Sequence, residues 1–195
     1  MFEALQQHLR QTVKLPEAEW AFAAPHLRRL HLNKHEAFVV PGQVCRHLAF
    51  VETGVLRSFL TTTEREVTND FFLPGSFVSA FTSFITQVPS VWTVQALKPC
   101  ELVVFSQDFL QTLYARHGAW LYFSKGLMET EFIKKCRRES SFLRHAADQR
   151  YHALLQQYPT LEQHVPQYHI ASYLGIQPET LSRLRARPTP SAAFS

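Results

Sequence analysis

"QYHIASYLGIQPETLSRLRAR", Gln167 to Arg187, is the stretch whose reading decides the fold. Gly175 divides it into two helix-sized halves. Two helices that cross closely need a small residue at the contact, and Ala171 offers one. They also need a turn residue that tolerates positive φ, which Gly175 supplies. After the turn, Leu181 and Leu184 stand three apart and can pack back on Ile170 and Leu174. Pro178 suits a first helical position. The pattern predicts a helix-turn-helix, with a plain helical hairpin as the alternative. The residues left facing outward are Gln177, Glu179, Thr180, Ser182, Arg183, Ala186 and Arg187. Such types suit a helix in a DNA major groove, where Arg pairs with guanine and Glu accepts from cytosine. Arg185 and Arg187 suit phosphate contact or the negative end of a helix.

Charge agrees with this reading. Residues 134–195 hold nine Lys/Arg against four Asp/Glu, a net +5, whereas residues 1–133 are net −1. A near-neutral body with a basic end fits a polyanion met at one end. Working back, residues 144–166 read as a helix from about Ala146 to Tyr158 and a short turn before Pro166. Residues 119–143 form one long helical pattern without proline. Its stripe, Trp120, Leu121, Leu127, Met128, Phe132 and Cys136, is expected to pack on a second copy of the chain, with packing on its own domain as the alternative. From Leu27 to Phe105, short apolar runs alternate with turns at Gly42, Gly54 and Gly75, the texture of a jelly roll. "SAFTSFI" is expected as a short helix within it, and Ser106 as the N-cap of the next. Ahead of the strands, Phe2–Leu15 reads as an amphipathic helix, with a second starting at Pro16.

The fold class is therefore α+β. A β jelly roll with flanking helices (residues 1–118) precedes a long dimerisation helix (119–143). A C-terminal helix-turn-helix domain (144–195) follows. The last residues, "PTPSAAFS", are expected not to form a β-hairpin wing, since two prolines and small residues disfavour one.

Several function classes are excluded as expectations. No apolar run is long enough to span a membrane, and the start lacks a secretion-signal centre, so the cytoplasm is the default. Cys45, Cys100 and Cys136 are too far apart for a disulfide framework or a metal knot, and read as incidental or buried thiols. His31 and His35 read as surface polar residues rather than metal ligands. Glu64, Glu66 and Asp70 read as a solvated hairpin. No catalytic constellation is expected and no cofactor, so the chain is read as a non-enzyme.

Taken together, the chain resembles the Crp/Fnr superfamily of transcription regulators. "RYHALLQQYPTLEQHVPQYHIASYLGIQPETLSRLRAR" is especially similar to a subgroup common in Bacteroidetes-type bacteria. The resemblance implies a cyclic-nucleotide-binding-type jelly roll, a homodimer through the long helix, double-stranded DNA as partner and RNA polymerase as a further one. It also implies base reading by Glu179, Thr180 and Arg183, while Pro178 replaces the family's usual Arg and removes one guanine contact.

The family's phosphate cassette starts at a glycine, here Gly75. Laid without gaps, its ribose-binding Glu becomes Ala80, and its phosphate-binding Arg-Ser pair becomes Ser90 and Val91. No charged residue lies between Gly75 and Lys98. An anionic phosphate there would lose its hydration without a charged partner. Cyclic AMP is therefore not expected to bind in the family manner. Phe77, Phe81, Phe84 and Trp92 are expected either to fill the pocket or to admit an uncharged or apolar effector. The opposing reading of the whole chain is a small-molecule sensor or protein-interaction module that has lost sequence-specific DNA binding.

Overall fold

The computed structural model describes residues 1–186. The chain opens with α1 (Glu3–Val13) and α2 (Glu17–Ala23), then a 3-10 turn. Eight strands follow: β1 (Arg28–Leu32), β2 (Ala37–Val39), β3 (His47–Thr53), β4 (Leu56–Thr61), β5 (Glu66–Phe72), β6 (Phe77–Val78), β7 (Thr93–Ala96) and β8 (Cys100–Ser106). Helix α3 (Phe81–Thr86) interrupts them between β6 and β7. Then come α4 (Gln107–Arg116), α5 (Gly118–Arg144), α6 (Ala147–Gln157), α7 (Leu161–His164), α8 (Gln167–Leu174) and α9 (Pro178–Arg185).

The strands form two antiparallel four-stranded sheets, in orders β1-β8-β3-β6 and β2-β7-β4-β5. The expected jelly roll, with its short inserted helix, is present. Its core combines strand residues such as Phe50, Val78, Leu102 and Phe105 with Leu5 and Leu9 of α1 and Trp120 of α5. Burying side chains of this size stabilises by about 1.5–3 kcal/mol each. A polar clamp fixes the N-terminal helices. Glu19 of α2 is buried, and its Oε2 accepts from Trp120 Nε1 at 3.2 Å and Arg116 Nε at 3.1 Å.

Helix starts follow local chemistry. Ser106 accepts a hydrogen bond from the Phe109 N–H at 3.2 Å, capping α4 as expected. At the start of α5, His117 Nδ1 accepts from the Ala119 N–H at 3.1 Å. Helix α5 is 27 residues long, or about 40 Å. The single apolar stripe expected on it is two stripes. Trp120 and Phe123 are buried in the chain's own core, with Leu127 packed against it. Leu121, Phe132 and Leu143 face outward, 53%, 68% and 82% exposed. Trp120 and Leu127 thus belong to the fold, because a helical turn of about 100° per residue parts them from Leu121. Cys136 is exposed too, while Cys45 and Cys100 are buried.

A second core joins α6, α7, α8 and α9 through Leu154, Leu161, Ile170, Ala171, Leu174 and Leu181. Val55, Phe71 and Leu97 from the jelly roll are part of it. The terminal helices therefore pack onto the outer face of the β2-β7-β4-β5 sheet. Among the described residues, no helix is long and apolar enough to cross a membrane.

The turn between α8 and α9 depends on Gly175, which has φ +67°. A Cβ there would lie 2.9 Å from Phe142 Cε1. Gly175→Ala adds left-handed strain to that contact, so it is expected to cost about 1–2 kcal/mol. For a chain of this size that lowers Tm by roughly 2–8 °C. Calorimetric melting of the variant beside the wild type measures it, and an unchanged Tm contradicts this account of the turn.

Candidate nucleic-acid interface and effector cleft

The helix-turn-helix is built as its spacing predicts. Helix α8 ends in a pair of turn hydrogen bonds, from Ile176 N–H to Ala171 O at 3.0 Å and from Gly175 N–H to Ser172 O at 3.2 Å. These satisfy carbonyls that a helix end leaves open. Ala171 and Leu181 are fully buried where the helices meet. Of the residues expected on the reading face, Gln177, Glu179, Ser182, Arg183 and Ala186 are exposed and Thr180 is half-buried. Arg183 leans back along the helix, with Nε donating to Glu179 O at 3.4 Å. Arg185 does not hang free for phosphate. Its Nε pairs with Glu162 Oε1 of α7 at 2.8 Å, an oxygen that also accepts from Tyr151 Oη at 2.9 Å. Arg187 and the tail expected to lack a wing lie outside the described residues.

Helix α8 is seated on the sheet by polar contacts that no local pattern announces. Ser172 Oγ accepts from the Thr68 N–H at 3.0 Å and donates to Glu66 O at 3.1 Å. Arg57 of β4 is buried, and its Nη1 lies 2.7 Å from His169 Nδ1 of α8. Its Nη2 pairs with Glu66, and its guanidinium stacks 3.9 Å from the Phe59 ring. From the other side, Arg138 donates to Tyr173 O at 3.0 Å and Arg150 to Leu174 O at 3.0 Å. Two cations thus cover the negative end of α8.

In the jelly roll, the expected pocket residues divide. Ala80, Phe81 and Trp92 border one cleft of about 30 Å³, together with Ser58, Asp70 and Lys135. That is room for about one water. Gly75 and Phe77 open instead on a cavity of about 430 Å³ between α1 and α5, beside His8 and Phe123. Ser90 turns inward and binds its own loop, accepting from the Trp92 N–H at 3.0 Å, whereas Val91 is 63% exposed. Phe84 is part of the main core.

Of the hairpin acids, Glu64 and Glu66 are exposed as read, and Asp70 is not, which corrects the sequence reading for that residue. Glu66 meets the buried Arg57. Asp70 is buried, with Oδ2 at 2.7 Å from Lys134 Nζ and Oδ1 accepting from the Phe71 N–H at 2.9 Å. Lys134 also pairs with Glu131 at 2.8 Å. Burial alone would lower the Lys134 pKa, but the two carboxylates raise it above its ordinary value. Glu131 is pushed up by burial, with Lys134 pulling the other way. The charge beside the cleft comes from β5 and α5, outside the cassette. A β-bulge, in which Ser58 pairs with Asp70 and Phe59 with Thr68, leaves Asn69 as the extra residue at the cleft wall. Among the described residues no group of three or more His, Cys, Asp or Glu could hold a metal ion. His31 is bound to Glu101 at 2.7 Å, apart from His35.

Comparison with known proteins follows the same outline. Residues 29–117, just under half the chain, match the family of cyclic nucleotide-binding domains. No curated protein matches the chain by sequence. Among solved structures, FixK2 from Bradyrhizobium japonicum superposes with TM-score 0.72 at 16% identity, over 82% of this chain and 83% of that one. A mutant of CooA from Carboxydothermus hydrogenoformans gives 0.69 at 16% identity, over 91% and 82%. A protein from Eubacterium rectale assigned to the Crp/Fnr family gives 0.67 at 20% identity, over 88% and 82%. The chain has the Crp/Fnr fold. In this Crp/Fnr fold the cleft bordered by Ala80 and Trp92 and the residues that seat α8, Arg57, Glu66 and Thr68, lie inside the matched domain, and α8 itself lies outside it.

That seat depends on a neutral His169. Burial and then the Arg57 charge push its pKa down from 6.5 to about 4. The unfolded chain takes up the proton near 6.5, so folding opposes protonation between those values. Stability is full above pH 6.5 and falls as pH drops toward 4. Asn retains an acceptor for Arg57 and cannot be protonated. Denaturant midpoints are expected to fall less between pH 7 and pH 4.5 for His169→Asn than for the wild type, and equal slopes would show the contact does not titrate.

Proposed function

We propose that the chain is a homodimeric, sequence-specific DNA-binding transcription regulator of the Crp/Fnr superfamily, with RNA polymerase as a further partner. The observation that carries this reading is the face of α9. Gln177, Glu179, Ser182 and Arg183 are exposed together on a short helix whose other face is locked by Leu181 against α8. A rigid helix with Glu and Arg outward suits base edges in a major groove. The outward stripe of α5, with Leu121, Phe132 and Leu143 exposed, supports pairing of two copies. Pairing would set two recognition helices about 34 Å apart, one turn of DNA.

The effector domain is read as one that does not take cyclic AMP in the family manner. Ligand pockets are typically about 300–1,000 Å³. The cleft beside Ala80 and Trp92 is about a tenth of the lower bound, at about 30 Å³, and the cassette carries no charge of its own. This favours filling by the chain's own side chains over an apolar guest at that place.

Selection from a random duplex pool followed by gel shift tests the reader. A two-fold symmetric consensus is expected, and Arg183→Ala is expected to lose about 1–3 kcal/mol on that consensus only. Weak binding that is blind to sequence would instead identify a module that no longer reads DNA. For the pocket, calorimetric titration with cyclic AMP or cyclic GMP at micromolar concentration is expected to give no isotherm, and saturable binding overturns the closed-cleft reading.

A further inference from the structure

Helices α5, α6 and α8 enclose a cleft of about 630 Å³ that is separate from the jelly-roll pocket. Its walls carry Arg137, Arg138 and Arg150, and its lining holds no Asp or Glu. None of these three arginines pairs with a carboxylate among the described residues. Lys134 also reaches the cleft, but Asp70 and Glu131 already neutralise it. Arg138 and Arg150 donate to the last carbonyls of α8, and a helix end carries only about half a negative charge. The cleft therefore keeps a surplus of positive charge. The Nε atoms of Arg138 and Arg150 are buried without a hydrogen-bond partner. Unsatisfied buried donors are costly in a folded protein, and each one calls for an explanation.

The apolar part of the site is equally specific. Phe142 lies between the two guanidiniums, 4.7 Å from Arg138 Cζ and 4.8 Å from Arg150 Cζ. Arg138 also stacks over Tyr173 at 4.6 Å. Ile133 and Leu154 line the same space. Aromatic and aliphatic walls with cations set among them suit a molecule that is apolar along its body and anionic at one end.

We propose that this cleft binds a small organic anion, a carboxylate, sulfonate or phosphate on an aromatic or aliphatic body. The anion neutralises the surplus guanidinium charge while its body lies along Phe142 and Ile133. Bound there, it touches the long helix, α6 and the end of α8 at once, so it holds the reader at one angle to the long helix. The binding step stands whether or not α9 reads DNA, because its test reads ligand alone.

The probe is 8-anilinonaphthalene-1-sulfonate, with the uncharged N-phenyl-1-naphthylamine as its control, each titrated by fluorescence into the full chain. Saturable sulfonate binding, one per chain, is expected. Arg137→Gln and Ala153→Glu, both at exposed lining positions, are expected to weaken it about tenfold, the loss from one charge-assisted hydrogen bond. Binding of the uncharged control, which reports apolar surfaces elsewhere, should not change in either variant. If Ala153→Glu does not fold, Arg137→Gln decides alone, since the Arg137 side chain makes no ion pair or hydrogen bond among the described residues. Unchanged sulfonate affinity overturns the proposal. So does a loss confined to the binding of duplex DNA, which would assign these arginines to the phosphate backbone.

Discussion

A buried arginine organises this molecule. Arg57 lies in a strand at the outer face of a sheet, where a lone guanidinium would be strongly unfavourable. Its Nη donors are taken up by Glu66, Gln95 and a neutral His169, its buried Nε has no partner among the described residues, and its flat face rests on Phe59. Removing any one acceptor leaves a buried charge short of a partner, and such losses cost more than surface pairs return. The arrangement works only while α8 is in place. Sheet and helix-turn-helix are therefore joined by a contact with strict geometry, whereas hydrophobic packing alone would tolerate sliding. Ser172 and Arg138 add further fixed directions around the same helix.

How far the sequence spoke depends on the range of each interaction. The helix-turn-helix was legible because its determinants, Ala171, Gly175 and Leu181, act over a few residues and obey helical spacing. The strands, the short α3 and the Ser106 cap were legible for the same reason. Arg57 and His169 are 112 positions apart, and no local pattern pairs them. Asp70 looked like part of a polar hairpin, because "REVTND" reads as exposed until Lys134 arrives from a distant helix. The doubled stripe of α5 was hidden in a similar way. Trp120 and Leu121 are neighbours in the chain but face different surroundings once the jelly roll covers one side.

The jelly roll receives the charge beside its small cleft from outside the cassette. The cassette from Gly75 to Lys98 is neutral, yet the space beside it is not greasy throughout. Asp70, Lys134 and Glu131 bring an ion network to its border from strand and helix. Such a network is stable only when its members stay together. It ties β5 to α5 at the edge of the cleft. Two of the four aromatics expected to line that space are committed elsewhere: Phe84 to the main core, and Phe77 against Phe50 and Phe123.

The contact of Phe142 with Gly175 has a mechanical meaning. Phe142 is near the far end of a stiff rod whose other end is anchored by Trp120 in the jelly roll. Moving that rod by a single residue shifts it about 1.5 Å and rotates it about 100°. The ring would then leave the turn entirely. The turn between α8 and α9 thus works as a gauge with a one-residue scale, touching the rod at a point where no side chain of its own could absorb the movement.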